Sequence, residues 1–422
     1  MPSVLLIADV ESPLPVLHAD LEAAGAAVVD VATPPALVQA AVRHAPDVVM
    51  CWQPELAPDL FDALQQLRDV FPRPVLVFTN EVRVEAFERA LQAGVSAWVV
   101  QGYAPTRLRA LLLQALSRHR HEQAGRDAAA ALARRYEERT LVDRAKGVLM
   151  RARQLDEEAA FRLLRETAMR HKWRIGQLAK QVLDTARDAE AVNRAGRLRM
   201  LSQQVVKLQA ARVAAVQAQA AEVAQQQALQ RADRLLAQLR ASVSLPTFGD
   251  LVDGVADALT SVRALLAEPP ARANLQRLDE QAQAWLRRAE GLTQALESAR
   301  PSAALQVINL AGRQRMLSQR VAKRALLAAL THTPSADDGS AEEFEQALQR
   351  LEALPLGSAQ TRALLAQAGQ QWPRLCTAAR RCEGAAQQQA VLETSESLLA
   401  LLDELSGRYE DALPLMVSDA TG

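Results

Sequence analysis

At 422 residues and 49% hydrophobic content, the chain is longer than one hydrophobic core usually serves, so two or three domains are expected. Lys plus Arg equals Asp plus Glu at 49 each, which excludes a globally basic nucleic-acid binder and leaves only local charge to point to a polyanion. Aromatics are only 4%, and the three cysteines, Cys51, Cys376 and Cys382, have neither disulfide-framework nor CxxC spacing, which excludes stapled and zinc-ribbon scaffolds.

Ala, Leu, Gln, Arg and Glu dominate, so the chain is expected to be multidomain and mostly α. No apolar run reaches the roughly 18–20 residues of a membrane span, and the N-terminus lacks a basic-then-apolar leader. A cytoplasmic protein without a membrane partner is expected.

Residues 1–104 read differently from the rest. Short apolar β runs at 4–7, 47–50, 74–78 and 97–100 alternate with helical-period segments, the pattern of a parallel sheet covered by helices. Their order and spacing resemble the receiver domain of two-component response regulators. That resemblance implies an acidic pocket at Asp9, Val10 and Glu11 and a switch hydroxyl at Thr79. It also puts Trp52 at the phosphoacceptor position and Gln101 where a lysine is expected. Phosphoryl transfer needs a carboxylate nucleophile, a metal held by neighbouring carboxylates and a cation. Trp52 supplies none of these, so the domain is expected to be a pseudo-receiver used for dimerisation or for relaying shape, with a contact helix near 105–116.

From 105 to 190 the balance shifts to 19 Lys plus Arg against 12 Asp plus Glu. Residues 105–135 are expected to form a helical linker able to pair as a coiled coil in a homodimer. Leu155-Asp156-Glu157-Glu158 reads as a helix break followed by an acidic first turn, after which Phe161, Leu164 and Ala168 share one apolar face. A second break near Trp173-Arg174 precedes Ile175, Leu178, Ala179 and Val182, completing a three-helix unit. Leu141-Val142-Asp143-Arg144-Ala145-Lys146-Gly147-Val148-Leu149-Met150 with these helices resembles the ANTAR domain over 136–184. The resemblance implies binding to paired hairpins in nascent leader RNA, which keeps a terminator from forming, with Arg144, Lys146, Arg151, Arg165 and Arg174 facing the RNA. Arginine suits that task through bidentate phosphate contacts and stacking on splayed bases, although a solvated helix face explains the same charges individually. No DNA contact is expected.

Beyond residue 184 the sequence is nearly continuous helix and contains a repeat. Asn193-Arg194-Ala195-Gly196-Arg197-Leu198-Arg199-Met200-Leu201-Ser202-Gln203-Gln204-Val205-Val206-Lys207 recurs 116 residues later, from Asn309 to Lys323, with 11 of 15 positions identical. An all-α bundle with internal duplication over 185–415 is expected. Gly196, Arg199 and Gln203 share one helix face, as do Gly312, Arg315 and Gln319. A glycine inside a helix costs about 1 kcal/mol relative to alanine, so its repetition points to a close approach. If the copies pack with pseudo-twofold symmetry, Arg199 meets Arg315, and two buried guanidiniums require something negative between them. The Asn-x-Ala-Gly-x-x-Arg-Met pattern resembles the sensor helix of nitrate- and nitrite-responsive histidine kinases and the N-terminal domain of type IV pili chemotaxis transducers. It implies a small inorganic anion, nitrate or nitrite, as regulatory ligand, held by Arg199 and Arg315 beside Gly196 and Gly312.

No Walker loop, GxSxG, HExxH or paired-carboxylate arrangement is present, so neither an enzyme nor a metal or organic cofactor is expected. The function expected is a nitrate- or nitrite-responsive antiterminator. The competing readings are a ligand-independent helical scaffold and a sensor of another small anion.

Overall fold

The computed structural model describes residues 1–9, 14–153, 155–332, 339–354 and 359–412. They divide into two units, Met1–Tyr136 and Glu137–Gly422.

In the first unit, β1 (Ser3–Ala8), β2 (Ala27–Ala32), β3 (Val48–Trp52), β4 (Val75–Thr79) and β5 (Val95–Val100) form one parallel sheet of order β2-β1-β3-β4-β5. Successive side chains point to opposite faces, and both faces are covered, which is why the central strands are continuous apolar runs. Leu5, Ile7, Val49, Val75 and Val77 pack with α2 (Leu37–His44), α3 (Leu60–Val70) and α4 (Val84–Gln92). Val4, Leu6, Val48, Met50, Leu76 and Phe78 pack with α1 (Leu14–Ala23) and with Leu108, Leu112 and Ala115 of α5 (Pro105–Arg153). Four of the five strands follow from the apolar runs. The fifth, β2, escapes that reading because it is an edge strand alternating exposed and half-buried positions, with Asp30 inside it.

Helix α5 is 49 residues long, so the expected linker over 105–135 is not a separate element. Its last turns join α6 (Glu157–Arg170) and the first turns of α7 (Ile175–Val213) around Val142, Ala145, Leu149, Ala160, Leu164, Ala168, Leu178, Ala179 and Val182. The expected break and acidic turn are there: Asp156 caps α6, its Oδ1 accepting the Ala159 N–H at 2.7 Å, an interaction worth about 1 kcal/mol. Phe161 departs from expectation. Leu164 and Ala168 are buried, but Phe161 is 41% exposed, because the three-helix contact covers only the stripe through Ala160, Leu164, Thr167 and Ala168.

The remainder is a duplicated bundle. The first half comprises α7, α8 (Ala218–Ser242), α9 (Leu245–Leu266) and α10 (Arg272–Ala299); the second comprises α11 (Ala303–Thr331), α12 (Ser340–Glu352), α13 (Ala359–Arg380) and α14 (Ala385–Ala412). The expected end of this domain, residues 413–415, lies outside the described residues. Helices α7 and α11 pack along each other; α10 lies against α7, and α14 against α11. From Asn193 to Ala211 nearly every α7 residue is buried, the mark of a helix surrounded by others. No described helix is long and apolar enough to cross a membrane.

Candidate functional site

Where a receiver holds its phosphoryl group, the chain places aromatic rings. Trp52 is half-buried and meets Tyr103 edge-on at 5.7 Å and Phe78 at 6.2 Å between centroids. Asp9 accepts a long hydrogen bond from Gln53 Nε2 at 3.4 Å, and Thr79 is buried with its Oγ1 accepting the Glu81 N–H. Val10 and Glu11 lie outside the described residues. Gln101 adopts a left-handed backbone, φ 63°, at the end of β5. Trp52 leaves this position without a nucleophile.

On the three-helix unit, Arg144, Arg151, Arg165 and Arg174 are all exposed. Lys146 is not free: its Nζ lies 2.7 Å from both Asp143 Oδ1 and Glu157 Oε1, and 6.0 Å from the Phe161 ring centroid, tying α5 to α6. These carboxylates raise its pKa, and its hydrogen bond lowers that of Asp143. An incoming phosphate must therefore exchange with a protein partner to reach Lys146. The structure adds two exposed rings, Phe161 and Trp173, each 41% exposed, with His171 5.7 Å from Trp173. Phe161, Arg165 and Met169 follow one another at i, i+4 and i+8 on the solvent face of α6. Trp173 was legible as a candidate, since it sits between Lys172 and Arg174 at a helix break.

The repeated segments bring Arg199 and Arg315 together. Both side chains are 0% exposed. A Cβ built on Gly312 would lie 3.3 Å from Arg315 Nη2 and 3.4 Å from Arg199 Nη2; one on Gly196 would lie 3.2 Å from Arg199 Nη2 and 3.9 Å from Arg315 Nη2. The glycines thus give two guanidiniums room between two helix backbones. The partners are exchanged between the repeats. Arg199 Nη2 donates to Asn309 Oδ1 at 2.7 Å, and Arg315 Nη2 donates to Asn193 Oδ1 at 2.6 Å. Arg199 Nη1 donates to Glu290 Oε2 at 2.9 Å, and Arg315 Nη1 to Asp403 Oδ1 at 2.8 Å. Asn309 and Asn193 in turn donate through Nδ2 to Glu297 and Glu410.

Burial pushes both arginine pKa values down, and the carboxylates Glu290 and Asp403 oppose it. The sequence required something negative between these arginines; the protein itself supplies a carboxylate to each. Both Nε atoms are buried and unpartnered among the described residues. Each guanidinium therefore retains a donor on its Nε–Nη2 edge, the edge that can address two oxygens of a planar anion.

The polar seam continues at the same spacing. Gln203 and Lys207 follow Arg199, and Gln319 and Lys323 follow Arg315, all buried. Lys207 Nζ reaches Ser395 Oγ at 3.0 Å and Glu396 Oε1 at 2.5 Å, while Lys323 Nζ reaches Asp279 Oδ1 at 2.5 Å. The acids Glu290 and Asp403, like Glu297 and Glu410, are 113 residues apart, as are the starts of α10 and α14 at 272 and 385. The change of offset from 116 hides them from a search at the repeat's own spacing.

Comparison with known proteins follows the same division. The ANTAR domain profile matches residues 130–183, and the profile of the type IV pili methyl-accepting chemotaxis transducer N-terminal domain matches twice, at 184–306 and 295–401. The transcriptional regulatory protein PdtaR of Mycobacterium tuberculosis, in strains CDC 1551 / Oshkosh and H37Rv, is 31% identical over 148 residues, 35% of this chain and 72% of the relative. Among solved structures, the receiver domain of a modulated diguanylate cyclase from Desulfovibrio desulfuricans G20 is 22% identical, covering 29% of this chain and 98% of that one, with a TM-score of 0.27. The receiver domain of the putative response regulator NarL from M. tuberculosis is 20% identical, covering 28% and 96%, with a TM-score of 0.25.

These findings define the class as a regulator of transcription, not an enzyme, with an ANTAR unit of the RNA-binding antitermination type. The chain belongs to the PdtaR family of transcriptional regulatory proteins and, over residues 184–401, to the type IV pili methyl-accepting chemotaxis transducer N-terminal family.

Proposed function

We propose that this protein is a cytoplasmic antitermination regulator whose binding to leader RNA hairpins responds to nitrate or nitrite held between Arg199 and Arg315. The observation that carries the reading is α7. It is one uninterrupted 39-residue helix whose first turns contribute Leu178, Ala179 and Val182 to the three-helix core, and whose later turns contribute Gly196 and Arg199 to the arginine pair. An anion that draws the two guanidiniums together changes the seat of α7 on α11, and the same helix is the third wall of the RNA-binding unit. Such a switch requires different anion affinities in two states. On this reading the chain acts as a homodimer paired along α5, whose turns around Leu132 and Tyr136 are exposed.

The test is isothermal titration of the full chain with nitrate, nitrite and chloride, beside Arg199→Ala, Arg315→Ala and the charge-keeping Arg199→Lys. Saturable nitrate or nitrite heat, lost in all three variants, supports the reading, because lysine cannot reproduce a two-point contact. Absence of heat with folded wild-type protein refutes the sensor. A two-hairpin leader RNA whose affinity is unchanged by bound nitrate refutes the coupling.

A further inference from the structure

The arginine pair is electrically complete before any ligand arrives. Arg199 and Arg315 each spend Nη1 on a carboxylate, Glu290 and Asp403. Their surroundings repeat that balance. Arg313 stands 3.6 Å from Glu290 Oε1, while Glu297 and Glu410 hold the two asparagines. Each central guanidinium therefore faces a carboxylate of its own, and Arg313 is held by Glu343 as well as by Glu290. The two guanidiniums at the centre have no solvent exposure, whereas Glu290 and Asp403 keep 36% and 31% of their side chains at the rim.

A site built to hold a doubly charged anion would leave its cations uncompensated. Here only hydrogen-bond donors on the inner edges remain: the two unpartnered Nε–H groups and the Nη2 groups beside Gly196 and Gly312. We propose that Glu290 and Asp403 are specificity-determining residues that restrict the site to a monovalent oxyanion and reject a divalent anion of the same shape. The assignment rests on the anion-sensor reading above.

The reason is electrostatic. A monovalent guest leaves the central group of four charges and ligand with one net negative charge, and a divalent guest leaves two. In a buried site the second charge is not screened by water, and the rim carboxylates repel it directly. Neutralising those carboxylates without changing their shape removes the repulsion and leaves the arginines undercompensated, so a divalent anion should then gain most.

Chlorate and sulfite are both three-oxygen pyramids and differ chiefly in charge when sulfite is doubly ionised at alkaline pH. Full-length protein is titrated with nitrate, chlorate and sulfite under those conditions, as wild type, as Asp403→Asn, and as Glu290→Gln/Asp403→Asn. The amide oxygens preserve an acceptor for Nη1. In wild type, sulfite should bind at least about tenfold more weakly than nitrate and chlorate; the double substitution should shift that ratio toward sulfite by about tenfold or more, and the single substitution by an intermediate amount. Sulfite matching nitrate and chlorate in wild type overturns the proposal, as does an unchanged ratio in folded variants that still bind. If the double variant does not fold, the wild-type ratio and Asp403→Asn decide. Wild-type protein that binds none of the three anions overturns the sensor reading itself, an outcome distinct from anion binding without charge preference.

Discussion

The continuity of α7 makes a prediction about helical phase. Val182 belongs to the three-helix core and Ala189 to the bundle core, and residues 183–188 between them are half-buried or exposed and belong to neither fully buried set. One alanine inserted between Thr185 and Ala186 lengthens the connection by about 1.5 Å and rotates everything on one side by about 100° relative to the other. A seven-residue helical insertion lengthens it by about 10.5 Å but returns the phase to within about 20°. Both insertions leave each core's own residues intact. If α7 transmits its seating on α11 as rotation or tilt, the one-residue variant should still bind RNA and nitrate separately but lose the effect of nitrate on RNA affinity, and the seven-residue variant should recover much of it. The lost coupling is expected to be about 1–3 kcal/mol, a change of about 5- to 150-fold in the nitrate-dependent shift of RNA affinity, read by fluorescence anisotropy of a labelled two-hairpin leader. An undiminished nitrate effect in the one-residue variant would refute transmission through α7. Equal loss in both variants would mean that length or side-chain contacts at the junction carry the signal, including Arg300 with Asp188 at 3.1 Å and with Asp184 at 3.8 Å.

Three further outcomes are expected. Gly312→Ala should raise helix propensity by up to about 1 kcal/mol yet weaken anion binding by about tenfold, because its Cβ meets both Nη2 atoms at 3.3–3.4 Å; Gly291→Ala, with nothing within 4 Å of the new carbon, should leave binding unchanged in the same titration. Phe161→Ala and Trp173→Ala should barely move the thermal midpoint but weaken leader RNA binding by about 1–3 kcal/mol each if the rings stack on loop bases, as measured by gel shift at fixed salt. Glu410 gives a pH signature: burial raises its pKa above the ordinary 4.5, against the lowering effects of the Asn193 hydrogen bond and Arg197 and Arg315, and with Glu190 adding to the rise. A carboxyl raised in the folded state ionises first in the unfolded chain, so its stabilising contribution is full below 4.5 and is lost as pH climbs through the folded-state value. Relative to Glu410→Gln, the wild-type denaturation midpoint should fall as pH rises above 4.5, and parallel profiles would remove Glu410 from that account.

What could be read from the sequence depended on how each feature is encoded. The arginine pair was legible because both copies kept the same residues at the same spacing, and because a repeated helical glycine has few structural uses. Its acids were not, because they lie on α10 and α14, where the offset changes to 113 and the residue type changes from Glu to Asp. Phe161 was assigned to a core face on its three-residue spacing from Leu164; only the width of the three-helix contact shows that it falls at the edge. Of the two partners of Lys146, Asp143 lies three residues before it, within reach on one helix, but Glu157 is eleven residues away across a helix break, a distance no helical periodicity describes. The unbroken course of α7 was available in principle: between Gly176 in its first turn and Val213, no proline and no glycine but Gly196 intervenes. The change in domain character near residue 184 was easier to see than the missing stop signal.

Carrying both repeats in one chain permits a division of labour that an identical pair cannot have. Residues facing the centre are matched, Arg199 with Arg315 and Asn193 with Asn309, while the outer shell has diverged. Glu290 is shared by Arg199 and Arg313, whereas Asp403, one methylene shorter, serves Arg315. Lys207 rests on Ser395 and Glu396, whereas Lys323 rests on Asp279. The two central helices also begin differently. The start of α11 is defined by its own cap, Ser302 Oγ accepting the Leu305 N–H at 3.2 Å, and α12, α13 and α14 pack against it. Helix α7 begins 24 residues before its arginine, inside the three-helix unit, whereas α11 begins 12 residues before its own. One arm of the pair is thus anchored in the bundle, and the other extends into the RNA-binding unit. On the proposed reading, a ligand bridging the two arms would displace them relative to each other, and with α11 held, that displacement would be delivered through α7.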